Sequence, residues 1–172
     1  ARKINPAWLP EGVKVARGFY HAFNVSINRL LELVGAQENI RITGHSLAHP
    51  LSCLAALYLH KSCGKNVQEV TSFCGPRWCN EAGAKFYNSA LGDVTTRIVD
   101  PLDPVPLMFP RLLGFRHVGK VAFLPIGYEP TDKERAYAFA KGLWLAAKMP
   151  GLQTGQAHRL SSVLDKLEKL KG

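Results

Sequence analysis

No stretch of this chain stays apolar for the ~18 to 20 residues that a bilayer-crossing helix needs, so nothing in it reads as a membrane span. Its four cysteines, Cys53, Cys63, Cys74 and Cys79, form no C-x-x-C pair and no Cys/His spacing of the kind that holds zinc, which argues against a structural metal. A disulfide through Cys63 or Cys79 has nothing in the sequence to support it. Acidic residues are scarce, 13 Asp and Glu against 22 Lys and Arg, for a formal charge of +9. That excess suits an anionic membrane surface or, more plainly, solubility. The basic residues are scattered, with no basic run interleaved with aromatics and no nucleic-acid motif, so nucleic acid is not expected as a partner. The first residues show no charged-then-apolar leader, and the compartment is left open.

What is present fits one domain spanning 1–172. A chain of 172 residues buries most of its surface around a single core. Residues 1–12 carry two prolines and a glycine and cannot hold regular structure for long, and Val13 to Ala16 reads as a brief strand. Phe19, Phe23, Ile27, Leu30 and Val34 recur at spacings of three and four, which predicts an amphipathic helix from Gly18 to Val34. A strand at Ile40 follows, then a helix from about Leu47 to Lys61 with Leu51, Leu54, Ala55 and Tyr58 on one face. Gln68 to Cys74 reads as a strand, Asn80 as the N-cap of a helix over Glu81 to Leu91, and Val94 to Val99 as a third strand. Pro101, Pro104, Pro106 and Pro110 exclude a long helix from Asp100 to Gly114. His117 to Leu124 predicts a fourth strand, and helices are expected from about Asp132 to Lys148 and from about His158. Strands alternating with helices of these lengths imply a mainly parallel sheet with helices on both faces.

Chemistry in such sheets sits at the carboxyl ends of the strands. Gly44-His45-Ser46 is a tight turn between the strand at Ile40 and the next helix, and a serine on that elbow is a candidate nucleophile. A hydroxyl is a poor nucleophile at neutral pH and needs a histidine to take its proton and an acid to orient the histidine. Asp103, held between prolines in L-D-P-V-P, and Asp100 both follow the third strand on the same edge; Asp103 is the favoured acid. With the order serine, acid, histidine, His117 and His158 remain as bases. His158, where a loop meets the last helix, is preferred, because a strand histidine such as His117 more often bonds to backbone.

These residues sit in a series of segments that resembles the class 3 lipases. The series runs R-G-F at 17–19, I-T-G-H-S-L at the elbow, S-F-C-G-P-R-W-C-N at 72–80, V-D-P-L-D-P-V-P at 99–106, G-F-R-H-V-G at 114–119 and A-H-R-L-S-S-V-L at 157–164. The resemblance implies an α/β-hydrolase fold with Ser46 as nucleophile, Asp103 as acid and His158 as base. The Leu47 N–H would be one oxyanion donor, and no cofactor or metal is implied. Two departures accompany it. Where the family continues G-H-S-L-G-G, this chain has Ala48 and His49, followed by Pro50; Ala48 is the mildest change, while His49 is expected to narrow the pocket or shift the elbow. The family's F-R-G-S/T-like oxyanion segment is missing ahead of Val13, so a fragment, a shortened form or a poor catalyst is expected. Losing one oxyanion donor slows turnover by ~100- to 1,000-fold.

The expected function is hydrolysis of lipid carboxylic esters such as acylglycerols through an acyl-enzyme on Ser46. His45, Leu107, Met108 and Leu112 are candidate substrate contacts, with the proline loop lining an acyl pocket or meeting a lipid–water interface. The alternative, favoured by His49 and the missing segment, is a lipase-like protein that binds lipid or a partner without hydrolysing. An acyltransferase or phospholipase would use the same three residues.

Overall fold

The computed structural model describes residues 2–125, 129–134, 136, 137, 140 and 168. It opens with two short strands, β1 (Lys3–Ile4) and β2 (Val15–Ala16), paired antiparallel. Helix α1 (Arg17–Val34) follows at once. Phe19 and Phe23 are buried, and Ile27, Leu30 and Val34 pack against the same core, while Val25 and Leu33 face outward. The three-and-four spacing therefore marks the inner face as expected. Gly35 ends the helix at a φ of 50°.

The main sheet is formed by β3 (Asn39–His45), β4 (Asn66–Phe73), β5 (Thr95–Val99) and β6 (Lys120–Phe123), all parallel and side by side in chain order. Helix α2 (Ala48–Cys63) links β3 to β4, and α3 (Glu81–Leu91) links β4 to β5. The register keeps Gly44 beside Ser72 and His45 beside Phe73, so the strands end along one edge. The fourth strand is shorter than His117 to Leu124, because Gly119 at φ 70° turns the chain and pairing with β5 starts only at Lys120.

Leu51, Leu54, Ala55 and Tyr58 do face the core, and the burial of α2 extends beyond that face. Cys53, Leu54, Ala55, Ala56, Leu57 and Leu59 are all buried, which closes nearly the whole circumference. The physical reason is that α2 is covered on two sides, by β3 and β4 beneath and by α1 outside, and a helix enclosed in this way is apolar all round. Trp8 adds a lid over it, edge-on to Tyr58 at 5.3 Å. Gly64, left-handed at φ 68°, stops the helix.

Between β5 and β6 the prolines allow only two single turns of 3₁₀ helix, Val105–Leu107 and Arg111–Leu113. The helix expected from Asp132 begins at a capping box, in which Thr131 Oγ1 donates to Glu134 Oε2 at 2.7 Å and accepts from the Glu134 N–H at 3.3 Å. Residues 132–134, 136, 137, 140 and 168 are helical. The remainder of that helix, and the start of the one expected at His158, lie outside the described residues. No helix among those described is long and apolar enough to cross a membrane. All four cysteines are free thiols.

Asn80 does more than cap α3. Its Oδ1 accepts from Gly83 N and Lys14 N, both at 2.9 Å, and its Nδ2 donates to Gly12 O at 2.8 Å. One side chain thus ties the N-terminal segment to the helix. Asn80→Ala is expected to lower stability by about 2 kcal/mol, the upper end for an N-cap, as read from the urea midpoint at unchanged slope.

Candidate active site

The sharpest local feature of the sheet edge is Ser46. Its φ of 57° is left-handed, a conformation that residues with a side chain rarely adopt and that a strand-to-helix elbow imposes on its tip. The turn is pinned on both sides: the Ser46 N–H donates to Phe73 O of β4 at 2.9 Å, and the Ser46 carbonyl accepts from His49 N at 3.0 Å. Helix α2 begins two residues later, so its first N–H groups, which have no partner within the helix, and the positive end of its dipole lie at the serine.

Close approach of α2 to β3 makes this possible. A Cβ on Gly44 would collide with Ser52 Oγ and stand 2.7 Å from the Ala48 carbonyl oxygen. Ser52 Oγ instead reaches Ala48 O at 2.8 Å and Thr43 O at 3.1 Å, joining helix to strand through its hydroxyl.

His49 turns inward. It is fully buried, packs directly on Gly75, where any Cβ would overlap its ring, and does not line the cavity at the start of α2. Its Nδ1 lies 3.5 Å from Cys53 Sγ. Burial, helped by the Arg97 charge, pushes its pKa down to about 3, so the ring is neutral at physiological pH. Burial also pushes the Cys53 thiol up to about 12.

Asp103 and Asp100 follow β5 and are both buried. Asp103 Oδ1 accepts from Val105 N at 2.8 Å, and Asp100 Oδ1 from Leu102 N at 3.0 Å. Each carboxylate is thus held by its own tight turn. Between Ser46 and this loop stands the end of β4, where Cys74 takes a second left-handed conformation at φ 50° and donates its N–H to Ile98 O of β5 at 2.9 Å. The Cys74 thiol is pushed up by burial and by the neighbouring Asp103. Ser46 and Asp103 therefore share one edge with a single strand between them. His158 lies outside the described residues.

His117 is tied elsewhere. Its Nε2 donates to Pro106 O at 2.9 Å, and burial with the Arg97 and Arg77 charges holds its pKa well below the ordinary value. Arg97 is lowered to about 10, mainly by burial, with its Nε given to Val118 O at 2.9 Å.

A cavity of about 770 Å³ opens at the start of α2, just past Ser46, walled by Phe19, Ala22, Leu47, Ala48, Leu51 and Phe109, with Arg2, Arg17 and His21 also lining it. Of the candidate substrate contacts, His45 ends β3 next to the serine. Leu107 lines a smaller cavity of about 290 Å³ with Asp103 and His117. Met108 is half-buried on the proline loop, and Leu112 is 98% exposed. Phe109 belongs to the proline loop expected to line an acyl pocket, whereas Phe19 and Leu51 were not anticipated as wall residues. Phe19 and Leu51 carry the helical periodicity of core positions, and only the packing of α1 beside the elbow separates wall from core. Among the described residues no group of three or more His, Cys, Asp or Glu is placed to hold a metal ion.

With this geometry in hand, the sequence profile described as "Lipase (class 3)" matches residues 2–113. A secreted mono- and diacylglycerol lipase of Malassezia restricta is 31% identical over 122 residues, covering 67% of this chain and 40% of the relative. A secreted mono- and diacylglycerol lipase of Gibberella zeae is 33% identical over 116 residues, covering 62% of this chain and 28% of the relative. Among solved structures, lipase II from Rhizopus niveus superposes with a TM-score of 0.65 at 26% identity, over 71% of this chain and 49% of that one. A lipase from Rhizopus microsporus var. chinensis gives 0.66 at 26%, over 76% and 47%. The chain thus spans less than half the length of these relatives, and its fold is that of the α/β-hydrolase lipases.

The buried histidine predicts an acid-side loss of stability. His49 resists protonation when folded but takes a proton at its ordinary pKa of 6.5 when unfolded. Stability is complete above pH 6.5 and falls toward pH 3 by about 1.4 kcal/mol per pH unit for this group. Denaturant midpoints from pH 7 to 4.5 should show that slope, reduced in His49→Gln. Gly75→Ala should destabilise by ~1 to 3 kcal/mol through overpacking, and most of the loss should be recovered in the double variant with His49→Gly.

Proposed function

Since the chain belongs to the class 3 lipase family, we propose that it hydrolyses carboxylic esters of lipids, mono- and diacylglycerols foremost, through an acyl-enzyme on Ser46. The observation that carries this reading is the left-handed Ser46 at the head of α2, with a large apolar cavity at the start of that helix. A relaxed serine in a surface turn has no need of such a backbone. The substrate class follows the names of the relatives, mono- and diacylglycerol lipases.

In this reaction the Ser46 hydroxyl attacks the ester carbonyl carbon while His158 takes its proton. Asp103, its other bonds made to the turn at Val105, orients the imidazole and balances its charge. The carbonyl oxygen becomes an oxyanion in front of the Leu47 N–H and the positive end of α2, where fixed dipoles stabilise it without reorganising. Collapse breaks the bond to the glycerol oxygen, which leaves with the proton from His158. Water then repeats the sequence on the acyl-enzyme, releasing the fatty acid and restoring Ser46. The acyl chain lies along Phe19, Leu51 and Phe109, a cavity of a size usual for small-molecule sites. His45 flanks the reacting carbonyl, while Leu107, Met108 and the exposed Leu112 meet the lipid surface.

A second reading, a lipid-binding relative without turnover, rests on Ala48 and His49 at positions where the family has glycine. Incubation with a fluorophosphonate probe and a short-chain nitrophenyl ester separates the two. Labelling is expected in the parent chain and absent in Ser46→Ala, with turnover down at least ~1,000-fold in Ser46→Ala and in His158→Ala. An unlabelled parent chain, or Ser46→Ala with full turnover, would sink the hydrolase reading.

A further inference from the structure

A third cavity, of about 350 Å³, is lined by Arg77, Glu81, Lys85, Asn88, Arg111 and Arg116. Four cations face one carboxylate there. Glu81 is already engaged by Arg116, Nε to Oε2 at 2.6 Å, and Arg116 Nη1 is fixed by the carbonyls of Arg111 and Phe115 at 3.0 Å. Among the described residues, no carboxylate pairs with Arg77, Arg111 or Lys85. Arg77 is half-buried and bonds one backbone oxygen, Leu107 O at 2.9 Å. Burial and the charges of Arg111 and Arg116 hold its pKa below the ordinary value, which marks the three guanidinium groups as near neighbours.

Like charges gathered round a hollow repel one another and are tolerated when a counter-ion fills it. Two stretches distant in sequence contribute to the arrangement: the turn after β4 with the helix α3 that follows it, and the end of the proline loop. The excess of three positive charges exceeds what a carboxylate neutralises. A phosphate monoester carries about −1.5 to −2 at pH 7 and three strong acceptor oxygens, which match the donor forks of arginine. Asn88 adds to the fit. Its Oδ1 accepts from Gly119 N at 2.8 Å, leaving its amide hydrogens as donors.

We propose that the cavity of Arg77, Lys85, Arg111 and Arg116 binds a phosphate-class anion. The same chemistry has two sources, a soluble phosphomonoester and a phospholipid headgroup. Leu112 and Leu113, 98% and 62% exposed, directly follow Arg111 and would enter a bilayer while the headgroup phosphate occupies the cavity.

The test uses the full chain near 0.15 M salt, where attraction between exposed charges fades beyond about 8 Å. Inorganic phosphate should bind saturably in a calorimetric titration. Arg111→Gln, which removes an exposed side chain making no bond to the described residues, should weaken binding about ten-fold. Arg41→Gln, an exposed arginine on β3, should leave it unchanged. No saturable binding, or equal weakening in both variants, overturns the site. Co-sedimentation with phosphatidylcholine vesicles, with and without phosphatidic acid, then names the source. Recruitment by phosphatidic acid that free phosphate competes away and Arg111→Gln loses assigns a headgroup; phosphate binding without recruitment assigns a soluble ester, and either upholds the site. Because binding is the readout, the outcome is independent of whether Ser46 is a nucleophile.

Discussion

Everything at the sheet edge depends on how closely α2 approaches β3. The contact leaves no volume for a side chain at Gly44, and Ser52 replaces what would be a packing gap with hydrogen bonds to both elements. Held at that distance, the chain has too few residues between strand and helix to turn in an ordinary conformation, and Ser46 absorbs the difference in its φ. The strain is local, and its restraint is not. Phe73 of β4 holds the Ser46 amide, and Ile98 of β5 holds Cys74 one strand further on, so each turn of the edge is braced by its neighbour.

Below that edge the interior is more polar than the apolar runs suggest. From His49 the contact passes to Cys53, which is buried in the same core as Tyr87. Thr95 Oγ1 donates to Leu91 O at 2.7 Å and accepts from the Tyr87 hydroxyl at 2.9 Å. These polar contacts sit within one core, at the first turn of α2 and between the end of α3 and the start of β5. Buried polar contacts of this kind hold direction as well as position, because each donor needs its particular acceptor. His49 is accommodated by Gly75 on one side and by Cys53 on the other, and it does not line the cavity at the start of α2.

Much of this was legible in the residues. The three-and-four spacing of α1, the cap at Asn80 and the run of strand and helix through Val99 are local signals, and local signals survive folding. The prolines likewise restricted the loop after Asp100 to single turns. Less legible were properties that belong to two elements at once. The enclosure of α2, the role of Phe19 and Leu51 as cavity wall, and the late start of β6 at Lys120 arise from what packs alongside. The convergence of Arg77, Arg111 and Arg116 is the clearest case, since their charges look scattered along the chain and meet only when the proline loop returns to α3. Ser46 and Asp103 could be assigned to one edge because a parallel sheet sends every strand end the same way, whereas His158 has only its place in the order of motifs to recommend it.

The side-by-side order of β3, β4, β5 and β6 has a consequence for how the fold is assembled. Each strand docks on the one made just before it, so no pairing has to wait for a distant segment and the entropy of loop closure is met in short steps. Among the described strands the order of docking follows the order of the chain. The turn carrying Ser46 is complete once β4 is in place, while the turn carrying Asp103 is fixed only after β5 docks. During synthesis the turn of Ser46 is thus shaped first, and that of Asp103 follows when β5 docks.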